Sequence, residues 1–231
     1  LRPLLEDPAV PPFHRLVGGL SDVLHHWVGG NLPAAASRLA LYEQLARDTG
    51  AHAIDRQFAF QRVYVYLLSG DLEAADAFLR NMAMLPTELG ELDRAQYDFL
   101  AGWRAALGGR TQEALSLLRD ALGSARQRRF AFFASVSGGL LAELLALDGR
   151  HDDARREIGA AWETAQSMGS VTALVPCGFQ RAVVVMLGGA STVDQAHCIR
   201  EAMGMARRHG HKAWGGLYPP TLALVVHRAL E

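Results

Sequence analysis

Five glycines set the ground plan of this chain: Gly30, Gly70, Gly109, Gly149 and Gly189 follow one another at intervals of 40, 39, 40 and 40 residues. Each closes one apolar helical pattern and opens another, in the segments WVGGNLPAAASRL, LLSGDLEAADAFL, ALGGRTQEALSLL, ALDGRHDDARREI and MLGGASTVDQAHCI. A fixed period of this length is the signature of stacked supersecondary units, each too small to bury its apolar face alone. A second column follows 20 or 21 positions later, at Gly50, Gly90, Gly169 and Gly210, with Arg129 in that place in the third repeat. Glycine just past a helix end takes the left-handed geometry that caps the chain. Two such columns predict two helix ends per repeat, so each repeat reads as a helical hairpin.

The helix faces align on the same frame. Five positions after the first glycine stand Ala35, Ala75, Ala114 and Ala154, and nine positions after it stand Leu39, Leu79, Leu118 and Ile158. That i, i+4 spacing defines one face of the second helix. In the fifth repeat Gln195 and Ile199 fall at these places only if one residue is inserted in the turn, and the face is expected to resume with Met203 and Ala206. Ten positions before the glycines stand Leu20, Phe60, Phe99, Gly139 and Phe179, and seven before them Val23, Val63, Gly102, Ala142 and Ala182. Bulky and small columns let neighbouring helices interlock. The expected fold is all-α: an α–α superhelix of about five 40-residue hairpins plus a terminal helix from Trp214 to Glu231, with Pro219 and Pro220 in its first turn. Residues 1–231 read as one domain whose first helices line the concave side. A start at Leu1 and an end inside a helical pattern read as a piece of a longer protein.

Half of the 231 residues are hydrophobic and the formal net charge is −1, enough for a large core and too little cation to hold a polyanion by charge alone. Direct nucleic-acid contact by this segment is therefore not expected. Cys177 and Cys198 form no CxxC pair and have no matching histidine spacing, so neither a disulfide scaffold nor a zinc site is indicated, and a cytoplasmic setting fits. No apolar run is long enough for a membrane span, and no secretory leader pattern is present. The chain contains no GxxxxGK[ST], no GxSxG, no HExxH and no GxGxxG between a strand and a helix, and it is read as a non-enzyme that needs no cofactor. His25 with His26 and His209 with His211 lack ligand spacing and read as polar or capping residues. Arg126, Arg128 and Arg129 read as a solvated helix end, and Trp27, Trp103, Trp162 and Trp214 as packing residues.

The candidate binding residues interrupt otherwise apolar first helices. Phe60, Gln61, Arg62, Val63 in the second repeat matches Phe179, Gln180, Arg181, Ala182 in the fifth. Polar side chains at such places need a partner or an opening to water. On the same face stand Asp22, His25, Phe58, Tyr97 and Arg104. Phe58, Gln61, Arg62, Tyr97, Arg104, Gln180 and Arg181 are the expected lining of a groove for a small polar or anionic effector or a peptide. The competing reading makes them exposed polar residues or inter-repeat ion pairs, such as Asp22 with Arg62.

A helical hairpin with alanine in its second helix and glycine at its turn resembles the tetratricopeptide repeat, although the period exceeds the usual 34 residues. The turns LLSGDLEAADAFL, LGGRTQEALSLL and LDGRHDDARREI look more like the longer repeats in the sensor region of large ATP-dependent bacterial transcription regulators of the MalT type, LuxR family. The resemblance covers the chain from about Phe13 to Glu231. It implies an ATPase module before the superhelix, a LuxR-type helix-turn-helix after it, and a superhelix that receives an inducer and controls self-association. Neither flanking module lies within the chain, and the match is confined to packing columns, so no inducer-binding residue is carried over. The alternative is a tetratricopeptide-like scaffold that docks a peptide or partner protein, unrelated to transcription.

Overall fold

The turns between paired helices fall where the first glycine column places them. The computed structural model describes residues 5, 7–83 and 89–212. Among them are ten α-helices and no strand: α1 (Pro12–Val28), α2 (Leu32–Thr49), α3 (Asp55–Ser69), α4 (Leu72–Ala83), α5 (Glu91–Leu107), α6 (Thr111–Gln127), α7 (Ala131–Leu147), α8 (His151–Met168), α9 (Val171–Leu187) and α10 (Thr192–Arg208). They pair as five hairpins, α1 with α2 through α9 with α10. The expected terminal helix from Trp214 lies outside the described residues. No helix among the described residues is long and apolar enough to cross a membrane.

Gly30, Gly70, Gly109, Gly149 and Gly189 all have φ between 70° and 79°, the left-handed turn that only glycine adopts without strain. The residue after this turn then starts the second helix. Asn31 Oδ1 accepts from the Ala34 N–H at 3.2 Å and Asp71 Oδ1 from the Ala74 N–H at 3.0 Å, so two donors without intrahelical partners are satisfied. In the second column Gly50, Gly169 and Gly210 are left-handed as expected. Gly90 is not: with φ −58° it precedes α5 as its N-cap and ends no helix.

Arg129 occupies the second-column place of the third repeat with φ 58°, the one non-glycine left-handed residue among those described. Its Cβ meets the strain that glycine avoids. Arg129→Gly is therefore expected to stabilise the protein by about 1 kcal/mol, read as a higher urea midpoint at unchanged slope. A lower midpoint would show that the side chain contributes more than the backbone strain removes.

The chain forms two compact units, Leu1–Met84 and Leu85–Glu231. In the first, α1 packs on α2 and on α3, α2 on α3, and α3 on α4. In the second, α5, α7 and α9 form a row in which α7 touches both neighbours; each packs against its own second helix, and α7 and α9 also against the preceding one. This is the nearest-neighbour stacking of an α–α superhelix. The aligned alanines Ala35, Ala75, Ala114 and Ala154 are fully buried, and so are Leu39 and Leu118. In the fifth repeat the buried face runs through Ile199, Ala202 and Ala206, while Met203 stays 41% exposed, against the expectation that it would resume the face.

A further small column governs how closely the helices approach. Eleven positions before the turn glycines stand Gly19, Ala59, Asp98, Gly138 and Gly178. A Cβ on Gly19 would fall 2.7 Å from the Tyr42 ring, one on Gly138 3.2 Å from Ala161 Cβ, and one on Gly178 2.7 Å from Met205 Cε. Interior glycines weaken a helix by roughly 1 kcal/mol relative to alanine. Here they let the first helix lie closer to its second helix than a Cβ would allow without a shift of Tyr42, Ala161 or Met205.

Candidate functional site

Of the predicted groove residues, Phe58, Gln61 and Arg62 lie on α3 in the first unit, and each has a partner there. Phe58 is fully buried and stacks on Tyr42 with centroids 5.8 Å apart. Gln61 Oε1 accepts the indole N–H of Trp27 at 2.8 Å, and Trp27 in turn stacks on Tyr64 at 5.3 Å. Arg62 donates from Nε and Nη2 to the two carboxylate oxygens of Glu43 on α2, at 3.0 and 2.7 Å. Burial works against the charge of Arg62, but the carboxylate of Glu43 and the Tyr66 hydroxyl together outweigh it and hold the guanidinium above its ordinary range. The pair expected from sequence, Asp22 with Arg62, is not the one formed. Asp22 binds Arg38 at 3.0 Å and accepts the Tyr42 hydroxyl at 2.9 Å.

A bidentate, half-buried pair is a packing element. Removing one partner leaves the other desolvated without a counter-charge. Arg62→Ala is expected to cost about 1–2 kcal/mol, measured by urea unfolding, and the cost should largely vanish when Glu43 is already alanine. An additive double mutant would show that the ion pair contributes nothing.

Tyr97, Arg104, Gln180 and Arg181 belong to the second unit. Tyr97 and Arg104 are on α5, and Gln180 and Arg181 on α9, with α7 packed between the two helices. The positions of α7 that match Gln180 and Arg181 in register are Leu140 and Leu141, so apolar residues interrupt the polar row. Tyr97 is half-buried beside Asp98, and burial with that neighbouring carboxylate pushes its hydroxyl above the ordinary value. Asp98 itself is raised by burial, with Arg94 opposing and Asp120 adding to the effect. The guanidinium of Arg104 lies against Gly108, on the place a Cβ would take.

The FQR triplet of α9 repeats that of α3 in sequence but not in contacts. Trp27, which serves Gln61, is three positions before its turn glycine, and in the fourth repeat that register holds Ala146. Gln180 accordingly finds no indole: it is 97% buried by a relative exposure of 3%, its Oε1 accepts no hydrogen bond, and it fills the space above Gly139 that a Cβ would occupy. Glu43, which serves Arg62, is thirteen positions after its glycine, and in the fourth repeat that register holds Trp162. The Arg181 guanidinium lies over the Trp162 ring, 5.1 Å from its centroid. Its Nη1 donates to Glu201 on α10 at 3.0 Å. Nε and Nη2, the edge that Arg62 uses on Glu43, have no protein partner among the described residues.

Cys177 lies one turn before Arg181, fully buried, and burial pushes its thiol up to about 12, so it is an unreactive packing group at neutral pH. Cys198 is also free. An apolar cavity of about 340 Å³ opens between Phe179, Met203 and Ala206 and the turn at Gly210. His211, 1% exposed and without a partner at either ring nitrogen, lies at its edge, and burial pushes the imidazole down to about 4. The residue is thus neutral and part of the core, not the helix-capping cation expected from sequence. Among the described residues no group of three or more His, Cys, Asp or Glu is placed to hold a metal ion.

The geometry defines an α–α hairpin-repeat protein in which Arg181, on a first helix, keeps one edge of its guanidinium open among the described residues. No protein-family model, curated protein or solved structure matches the chain.

Proposed function

We propose that the chain is the effector-sensing domain of a bacterial transcription regulator, working in the cytoplasm and binding a small anionic effector at Arg181. The observation that carries this reading is the unpaired Nε–Nη2 edge of that guanidinium, held in place by Glu201 and by the Trp162 ring. Such an edge accepts a carboxylate or phosphate through two parallel hydrogen bonds. Trp162 offers a flat apolar surface to the rest of the ligand. Arg62 has the same register in the second repeat, but Glu43 already fills the place of the anion. It serves as an internal example of what Arg181 would do with a ligand. Repeat stacking supports a binding role because each hairpin contacts only its neighbours, so a ligand that bridges two of them shifts their stacking and with it self-association. The link to transcription rests on the likeness of the turn segments to those of MalT-type regulators. It is tested by the coding sequence on either side of this segment, where a nucleotide-binding loop upstream and a helix-turn-helix downstream are expected.

The binding claim is tested by a thermal-shift screen of small anionic metabolites and sugars. A true effector raises the melting temperature progressively with concentration. Its effect is expected to disappear in Arg181→Ala, whose own melting temperature should stay close to wild type because the ion pair to Glu201 is partly exposed and the contact with the Trp162 ring is a weak one. Stabilisation that persists in Arg181→Ala would remove Arg181 from the site. A partner peptide that binds where no small anion does would favour the scaffold reading.

A further inference from the structure

A second cationic place lies in the second unit, where α6, α7 and α8 meet. A cavity of about 290 Å³ opens there, floored by Leu122, Leu141 and Leu145 and rimmed by Arg119 and Arg126 from α6 and by Arg150 and Arg156 from the start of α8. Two carboxylates, Asp153 and Glu157, also reach it. Four guanidinium groups against two carboxylates leave the rim with an excess of positive charge, and the pairing shows where it falls. Glu157 is taken by Arg126 at 2.8 Å. Asp153 is shared by Arg150 and Arg156, whose hydrogen bonds hold its carboxyl below the ordinary value. Arg119 has no ion pair or hydrogen bond among the described residues, although it projects from the same wall as Arg126, two turns away.

Gly123 adds an independent observation. It lies in the interior of α6 and on the cavity wall, and a Cβ there would meet nothing within 4 Å. Gly138 and Gly178 have neighbours that exclude a side chain, whereas packing gives no reason for a glycine at 123. Glycine costs a helix interior stability relative to alanine. A side chain at this position would stand on the cavity wall.

We infer that this cleft between α6, α7 and α8 binds a small organic anion, an oxyanion head held by Arg119 and by whichever of Arg150 and Arg156 Asp153 releases, with an apolar body on Leu122, Leu141 and Leu145. Its size is at the small end of ligand cavities, which begin at roughly 300 Å³. A leucine floor excludes a fully hydrated ion and favours a carboxylate or phosphate with a short hydrocarbon or aryl body. The site is separate from Arg181 on α9, so the two stand or fall independently.

The test is an NMR titration of the full chain that follows the arginine Nε–Hε signals, with benzoate and phenyl phosphate as probes and benzyl alcohol as the neutral counterpart. Benzoate or phenyl phosphate is expected to move the signals of Arg119 and of Arg150 or Arg156 together and saturably, and benzyl alcohol is not. The tighter of the two anions names the head group. Gly123→Leu fills the cavity from an open position and is expected to weaken the probe about tenfold or more without lowering the melting temperature. Arg119→Ala should do the same. Signals that merely drift in parallel with that of the exposed Arg200 would overturn the assignment, and so would wild-type affinity in Gly123→Leu.

Discussion

Replacing Ala114 with tryptophan is expected to lower the stability of the second unit by about 3 kcal/mol. Ala114 is fully buried on α6, between α5 and α7, in the register that alanine holds in four of the five repeats. The helices there are already at contact distance: a Cβ on Gly102 of α5 would fall 2.8 Å from Leu118 Cγ of α6. An indole has no empty volume to enter, so α6 must move away from its neighbours and forfeit contacts on both sides. Ser116→Trp, on the exposed side of the same helix, should change stability by no more than about 0.5 kcal/mol. Equal midpoints for the two variants in urea would place the alanine column on the surface and refute the register.

The comparable test of the first unit is Gly19→Leu, with an expected loss of about 3 kcal/mol. The nearest atoms to a new Cβ are those of the Tyr42 ring, at 2.7 to 2.8 Å, and a ring cannot yield by changing a terminal rotamer. Tyr42 is 2% exposed, stacks on Phe58, and donates its hydroxyl to Asp22, which also holds Arg38. Displacing the ring therefore breaks an aromatic stack and a part-buried hydrogen bond together. Unfolding followed by tyrosine near-UV dichroism should show the loss, and a midpoint within experimental error of wild type would mean that α1 and α2 have room to spare.

The hairpin plan is legible in the sequence because it depends on local geometry. A left-handed turn needs glycine, and a buried helix face needs Ala and Leu at i, i+4 whatever lies opposite. The exceptions are local as well: Gly90 begins a helix instead of ending one, and Arg129 takes the left-handed turn without being glycine. The column of Gly19, Gly138 and Gly178 is harder to read. An interior glycine looks like a weak helix position until its neighbour is known, and those neighbours come from other helices.

The same limit applies to the charged residues. The repeated FQR triplet marks two positions of the same register, yet Arg62 and Arg181 make different contacts because Glu43 is replaced in register by Trp162. Comparing the partner columns, and not only the triplet, would have revealed the difference. Arg119, Gly123 and Arg126 share one face of α6 at i, i+4 and i+7, a signal present in the sequence. Only the fold shows that Arg150 and Arg156 of the next repeat stand across from them.

The central claim, that Arg181 is a recognition residue where Arg62 is a structural one, is tested most directly by calorimetric titration of a stabilising anion into the wild type, Arg62→Ala and Arg181→Ala, each with its melting temperature. A split is expected: Arg181→Ala loses affinity by about tenfold or more and keeps its melting temperature, while Arg62→Ala melts earlier and binds as the wild type. Undiminished affinity in Arg181→Ala, above all with a lowered melting temperature, would contradict it and make both arginines structural.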